Sequence, residues 1–246
     1  MQRNKRLRIF AGPNGSGKST LFDEFKKQYD PGYFINADVL EKKLSSSGLV
    51  DLGSISTKSN PRDLEKFKNS KEAKSLIAKA AAEGHQINIE IRENYIVDKA
   101  KDTHSYEASF VAAFIRWLLY KNNKSFSFET VMSHRSKIDE IKNAKKNGYK
   151  TYLYFVCTDD PEINVGRVAS RVEKGGHPVN IEKIRSRYSG TLKNLFPAIH
   201  LVHRAYLFDN SGKNLILIAE VFEGALQLHV NNPPQWFIDS VLPYYK

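Results

Sequence analysis

Short apolar runs alternate with longer segments of helical periodicity along most of the chain. The apolar runs predict strands at residues 7–11, 33–36, 125–129, 150–157, 204–209 and 215–222. Apolar positions at helical spacing predict helices at residues 19–29, 64–83, 110–120, 136–147, 161–174 and 181–195, and a short one after residue 233. Because strands and helices alternate, we expect an α/β fold with a mostly parallel central sheet flanked by helices.

One region departs from this alternation. Residues 45–62 are rich in Ser, Gly and Asn and predict a surface loop. Residues 85–95 fit a short strand and an extended connection equally well. We therefore predict one domain over residues 1–246, with an inserted helical and loop segment at about 45–108.

Composition limits the class of protein. The 246 residues are 41% hydrophobic and 26% charged, which is typical of a globular protein with a sizeable core. No apolar run has the length of a membrane span, and the run before residue 12 is too short for a cleaved signal peptide. The single cysteine, Cys157, lies in an apolar strand. We expect a buried thiol, a cytoplasmic protein and no membrane partner.

The formal net charge of +11 indicates either a nucleic-acid partner or a site for several phosphates. The lysines are scattered along the chain, and no nucleic-acid-binding motif accompanies them. Solvated surface charge is therefore the preferred interpretation, and a nucleic-acid partner is disfavoured.

The segment GPNGSGKS at residues 12–19 matches the phosphate-binding P-loop pattern at every fixed position. Its glycines allow the backbone N–H groups to surround phosphate oxygens, Lys18 can reach the β- and γ-phosphates, and the Ser19 hydroxyl can bind Mg²⁺. We expect the following residues to bind ATP: Gly12, Pro13, Asn14, Gly15, Ser16, Gly17, Lys18, Ser19 and Thr20. The motif predicts a three-layer P-loop NTPase or kinase fold.

Polar residues after the second and third strands are candidates for the acceptor side of the site, since ligands gather at the carboxyl ends of parallel strands. Asp38 could accept a proton from a substrate hydroxyl, or it could cap the following helix. Glu129 could contact Mg²⁺ through water or hold substrate hydroxyls, and Thr130 and Arg135 follow it.

A basic helix–loop–helix segment at about 161–195 could close over the phosphates as a lid. Arg167 and Arg171 share one face of its first helix, and Arg185 and Arg187 lie on its second helix. Arginines that reach the transferred phosphoryl group would stabilise its charge.

These motifs, in this order, resemble the zeta-toxin family of P-loop kinases, in particular the short bacterial proteins described as predicted ABC-type ATPases. The matching pieces are AGPNGSGKST at 11–20, FINAD at 34–38, SFSFETVMS at 125–133, RVASRVEKGGHPV at 167–179, IRSRYSGTLKNL at 184–195 and LFDNSG at 207–212.

The resemblance implies an ATP-dependent kinase of the kind that phosphorylates the 3′-hydroxyl of UDP-N-acetylglucosamine. It implies that Asp38 is the base, that Arg171 binds phosphate and that Glu129 and Thr130 contact the sugar nucleotide. The family's second arginine has two candidates here, Arg185 and Arg187, and its E-G-T-x-R-T pattern is replaced by Glu-Thr-Val-Met-Ser.

The sequence therefore predicts an ATP- and Mg²⁺-dependent phosphotransferase. Its catalytic residues would be Asp38, Lys18 and Arg171, and Arg167 would contact the nucleotide. Its acceptor would be a hydroxyl of a small molecule such as a UDP-N-acetyl sugar. Two alternatives stay open: a polynucleotide-end kinase or ATPase, and a non-enzymatic, nucleotide-gated partner of an antitoxin-like protein.

Overall fold

The computed structural model describes residues 5–100, 105–176 and 178–245, and it shows an α/β fold. The strands are β1 (Arg6–Ala11), β2 (Tyr33–Ile35), β3 (Leu49–Asp51), β4 (Ile89–Arg92), β5 (Tyr95–Asp98), β6 (Phe126–Thr130), β7 (Lys150–Cys157), β8 (Arg204–Asp209), β9 (Ile216–Phe222) and β10 (Ala225–Leu228). The helices are α1 (Lys18–Gln28), α2 (Ala37–Ser47), α3 (Pro61–Lys68), α4 (Lys71–Ala82), α5 (Ser105–Lys121), α6 (Ser136–Lys146), α7 (Pro161–Glu173), α8 (Ile181–Leu201) and α9 (Gln235–Ser240).

The chain forms two compact units. The first contains the residues up to Pro31 and from Ser127 onward, and the second contains Gly32–Phe126. The predicted insertion at 45–108 falls inside the second unit. Among the residues that the structure describes, no helix has both the length and the apolarity needed to cross a membrane.

The first unit holds strands of the central sheet in the order β10-β9-β8-β7-β1-β6. Strands β1, β7 and β8 are parallel neighbours, whereas β9 and β10 extend the sheet antiparallel. Helices cover both faces. On one face Phe10 packs against Phe22 and Phe25 of α1, and on the opposite face Phe155 packs against Trp236 of α9. The predicted fold class is confirmed.

In the second unit, helices α2, α3 and α4 pack against α5, beside a separate antiparallel sheet in the order β3-β5-β4. Phe67 lies at the centre of the helical core, with its ring 5.2 Å from that of Phe110 and 5.3 Å from that of Phe114. An ion pair of 2.6 Å joins Lys121 to the buried Asp63.

The prediction of a surface loop at 45–62 was wrong for residues 45–51, which contain the end of α2 and strand β3. Helix α2 continues to Ser47, and Leu49 pairs with Val97 in the small sheet. Tertiary pairing here overrides the low strand propensity of a Ser- and Gly-rich segment. The region at 85–95, which fitted two interpretations, forms the β4–β5 hairpin, whose turn residues Glu93 and Asn94 have φ of 46° and 67°.

Two helices also differ from their predicted extent. The predicted helix at 64–83 is two helices, because α3 ends at Lys68 and Ser70 caps the start of α4 by accepting the N–H of Ala73. Helix α8 does not end at 195 but continues through Pro197 to Leu201. Strand β10 carried no prediction.

The structure also gives a test of Cys157, whose side chain is fully buried. Burial raises the pKa of its thiol to about 12, so almost no thiolate exists at pH 8. We expect the folded chain to react with an aromatic disulfide reagent only after unfolding in guanidinium, and then with one thiol per chain. Rapid reaction of the folded chain would contradict the buried position.

Candidate phosphate site

The loop between β1 and α1 has the backbone of an anion-binding loop. Gly12, Gly15 and Gly17 have φ of 150°, 76° and 102°, which residues with a side chain rarely adopt. Helix α1 begins after Gly17 without a side-chain cap and without an acidic residue in its first turn. The positive end of the helix dipole is thus left for a negatively charged ligand.

Two backbone carbonyl groups approach this loop so closely that a side chain would not fit. A Cβ atom on Gly12 would lie 2.0 Å from the Val156 carbonyl oxygen at the end of β7. A Cβ on Gly15 would lie 2.7 Å from the Asn164 carbonyl oxygen of α7. The loop is therefore packed against backbone, and glycine is required for space as well as for conformation.

Lys18 and Ser19, the first residues of α1, meet Glu129 from β6. The ammonium of Lys18 is buried, donates to the Pro13 carbonyl oxygen at 2.8 Å and lies 3.8 Å from Glu129 Oε1. The Ser19 hydroxyl donates to Glu129 Oε2 at 3.0 Å. The structure thus brings the cation and the hydroxyl of α1 together with a carboxylate that lies 110 residues after Ser19 in the sequence.

This arrangement suits a phosphate–magnesium complex. Hydroxyl and carboxylate oxygens are ligands that Mg²⁺ accepts, and Mg²⁺ commonly takes only one or two protein ligands beside phosphate and water. Within the described residues, no group of three or more His, Cys, Asp and Glu side chains could hold a metal ion. Ser19 and Glu129 are the residues that fit the cation, and Lys18 fits the phosphates.

Thr130 shapes the turn after β6. Its carbonyl oxygen accepts the N–H of Gly12 at 3.3 Å, and its hydroxyl accepts the N–H of Met132 at 3.1 Å. Met132 has φ of 59°, so this turn is tight. Arg135 follows as an exposed residue directly before α6.

Helix α7 contacts the loop through Asn164 and Val168, which both approach Gly15. Arg167 lies on the same side of the helix and donates through Nη2 to the Gly212 carbonyl oxygen at 3.3 Å. Its Nη1 atom is buried and has no hydrogen-bond partner within the described residues. Arg171 continues this face one turn later and is exposed.

The two candidate arginines of α8 have different surroundings. Arg185 is tied by ion pairs to Glu162 at 2.7 Å and Glu182 at 2.8 Å, and these carboxylates raise its pKa. Arg187 lies one turn before Thr191 and is half-buried.

Thr191 and Asn194 fix that face of α8 against the turn after Glu129. They donate to the carbonyl oxygens of Val131 at 2.8 Å and Met132 at 3.0 Å. Arg187, which shares their face, therefore lies on the side of α8 that is directed to the phosphate site, whereas Arg185 faces α7.

Sequence reasoning missed Asn210 as a site residue. Its side-chain amide donates to the Ser16 carbonyl oxygen at 2.8 Å and lies where a side chain on Gly17 would be. The preceding Asp209 holds the turn by accepting from the Ser211 hydroxyl at 2.8 Å and from Trp236 Nε1 at 2.9 Å. The sequence signal that could have identified Asn210 is the Asn-Ser-Gly turn directly after a strand of the predicted sheet.

Asp38 belongs to the second unit, whereas the loop, Glu129 and the arginines belong to the first. The alternative in which Asp38 caps its helix is wrong, because Asn36 is the cap and accepts the N–H groups of Asp38 and Val39. The Asp38 side chain is exposed in the first turn of α2. A catalytic role for Asp38 stays a prediction.

Comparisons with known proteins support the fold. No family model matches the chain. An uncharacterized protein of Haemophilus influenzae is 34% identical over 68 residues, which are 28% of this chain and 49% of that protein. A chain of the AvrRxo1-ORF1:ORF2 complex with ATP has a TM-score of 0.57 at 17% identity and covers 92% of this chain. The same complex with sulphate ions gives a TM-score of 0.54 at 19% identity.

The chain spans about half the length of the curated relative and 61% of the AvrRxo1-ORF1:ORF2 chain with ATP. The fold that the motifs predicted is therefore shared with a solved ATP complex.

Gly17 gives a test of the loop's packing. In Gly17→Ala, the new methyl group would lie 2.3 Å from Asn210 Nδ2 at a φ of 102°, so we expect a loss of about 1–3 kcal/mol in the free energy of unfolding. Gly166→Ala is the matched control, because it lies within α7 with nothing within 4 Å, and it should stabilise by up to about 1 kcal/mol. Chemical unfolding measures both, and equal stability of the two variants would contradict the packing.

Proposed function

We propose that this protein is an ATP- and Mg²⁺-dependent phosphotransferase that passes the γ-phosphate to a hydroxyl group of a small molecule. The observation that carries the proposal is the meeting of Lys18, Ser19 and Glu129 at the glycine loop. The shared fold with a chain of a complex solved with ATP supports the choice of donor.

The donor phosphates would lie at the start of α1. The loop N–H groups and the uncapped helix terminus, which includes Thr20, would bind the phosphate oxygens. Lys18 would exchange its bond to the Pro13 carbonyl for a stronger bond to the β- and γ-phosphates. The buried Nη1 of Arg167, which has no hydrogen-bond partner in the described part of the chain, would donate to the nucleotide from the side of α7.

Ser19 and Glu129 would hold the metal ion. When bound, Mg²⁺ supplies charge neutralisation for the phosphate oxygens during transfer. The sequence leaves Glu129 either a contact with Mg²⁺ or a contact with substrate hydroxyls, and its hydrogen bond with Ser19 favours the metal. Thr130 and Arg135 keep the proposed role of binding the acceptor.

Asp38 would activate the acceptor hydroxyl by accepting its proton as the oxygen attacks phosphorus. Its carboxylate is not used as a helix cap, which leaves both oxygens for a substrate. A UDP-N-acetyl sugar is the first acceptor to test, since the motifs resemble kinases that act on one.

Arg171 and Arg187 would stabilise the charge of the transferred group. Arg171 lies on the face of α7 that approaches the loop, and Arg187 lies on the face of α8 held against the turn after Glu129. Arg185 would instead keep the two helices together through Glu162. The segment 161–195 would then close over the phosphates as a lid, and the ion pair between Arg185 and Glu162 would hold its two helices together.

Substitutions of Lys18 and Asp38 should lower different quantities, the ATP affinity for Lys18 and kcat for Asp38. We expect Lys18→Ala to lose ATP affinity at least about tenfold, because a charged phosphate contact is removed. Asp38→Asn should keep ATP affinity and lose about 10²–10⁴-fold in kcat, the usual contribution of a general base. Calorimetric ATP binding and transfer of labelled γ-phosphate to the acceptor measure the two effects.

The matched control for these variants is Glu24→Gln, an exposed carboxylate on the surface of α1. It should change neither quantity. Transfer of the γ-phosphate by Asp38→Asn at the wild-type rate would show that Asp38 is not the base.

The two arginines of α8 give a sharper comparison. We expect Arg187→Gln to lower kcat by about 10²–10³-fold, because it removes charge stabilisation from the transition state. Arg185→Gln breaks only exposed ion pairs and should cost less than about fivefold. If Arg185→Gln proves the more damaging of the two under saturating ATP, the assignment of Arg187 is wrong.

A protein partner is the second candidate function. The shared fold with a chain of a two-component complex, AvrRxo1-ORF1:ORF2, favours it. Tight ATP binding without transfer to any acceptor, together with capture of an antitoxin-like protein, would support this alternative over the kinase.

A further inference from the structure

The first unit contains a cavity of about 800 Å³ away from the glycine loop. It opens at the amino-terminal ends of β7 and β8, lined there by Lys150 and His203, whereas the loop follows the carboxyl end of β1. The end of α6, the last turns of α8, the β9–β10 turn and the segment after α9 form its other walls. Its volume lies within the range of small-molecule sites.

Aromatic side chains form much of the cavity's apolar surface. Phe196 and Tyr244 are stacked, with ring centroids 3.7 Å apart and planes 7° apart, and Tyr245 meets Phe196 edge-on at 6.1 Å. Tyr149 is buried at the wall, and burial raises the pKa of its hydroxyl to about 12. Like any tyrosine it is protonated at neutral pH, so its hydroxyl is a hydrogen-bond donor.

The polar lining is basic. Lys145 and Lys150 line the cavity with His200 and His203, and Glu223 is the one acidic side chain among the described lining residues. Outside the lining, the Lys5 ammonium lies 5.0 Å from the centroid of the Tyr149 ring. Planar rings beside cations are the lining that an aromatic anion requires, because rings supply stacking and the cations supply charged hydrogen bonds.

We propose that this cavity binds a planar ring that carries a phosphate, the chemistry of a mononucleotide. The ring would pack against Phe196 and Tyr244, and the phosphate would be held by Lys145 and Lys150. This site is separate from the glycine loop, because it lies at the opposite end of the strands: Lys150 of the lining pairs with Arg6 at the start of β1, whereas the loop follows Ala11. Helix α8 lines the cavity with Phe196, Ile199, His200 and Leu201. The inference does not depend on the proposed kinase activity.

The test uses the full chain with Lys18→Ala, which weakens the glycine loop as a competing site. Each of AMP, CMP, GMP and UMP is titrated by calorimetry, beside the matching nucleoside and inorganic phosphate. We expect saturable binding of at least one mononucleotide at one site per chain, and binding at least about tenfold weaker for the nucleoside and for phosphate alone. Absence of saturable binding for all four mononucleotides, or equal binding of inorganic phosphate, overturns the proposal.

Two double variants in the same background locate the site. Lys145→Gln with Lys150→Gln removes two cations of the lining and should weaken the mononucleotide at least about tenfold. Lys142→Gln with Lys146→Gln removes the same charge from exposed positions of α6 outside the lining and should leave affinity within about twofold. Equal weakening by both would mean that net charge alone attracts the ligand and would overturn the assignment to this cavity.

Discussion

The backbone contacts of the glycine loop are the constraint on which the rest of the site depends. Gly12 meets the end of β7, Gly15 meets α7 and Gly17 meets the turn after β8, each at a distance that leaves no room for a side chain. The loop is therefore shaped by its neighbours as well as by its own sequence. Because those neighbours are parallel strands and the helix that follows one of them, the order of the sheet fixes where an anion can bind.

Burying the Lys18 ammonium has a cost that the site must offset, since an unpaired buried charge is unstable. The Pro13 carbonyl and the Glu129 carboxylate supply that compensation. The same carboxylate accepts a hydrogen bond from the Ser19 hydroxyl, so one side chain from β6 contacts both Lys18 and Ser19 of α1. Lys18 could exchange its contacts for the oxygens of an anion, and a metal ion beside Ser19 would then keep the Glu129 carboxylate paired.

Much of the first unit could be predicted from sequence, because the glycine loop and the buried strands carry their constraints locally. Other features depend on partners distant in the chain. Asn36 and Asp38 both fit a helix start, and only the backbone geometry shows that Asn36 is the cap. Arg185 and Arg187 look equivalent until Glu162 is found beside one of them. The region around Asn94 fits two interpretations from sequence, because pairing with the distant β3 decides its conformation.

The turn after β8 connects the glycine loop to the last helix. Asn210 holds the loop, while the neighbouring Asp209 accepts a hydrogen bond from the buried indole of Trp236. Shortening the chain before Trp236 would leave the Asp209 carboxylate without that donor and would open the apolar wall beside Phe155. A variant that ends at residue 234 would therefore loosen the turn that holds the glycine loop without losing any residue of that loop, and α9 has to be counted as part of the loop's scaffold.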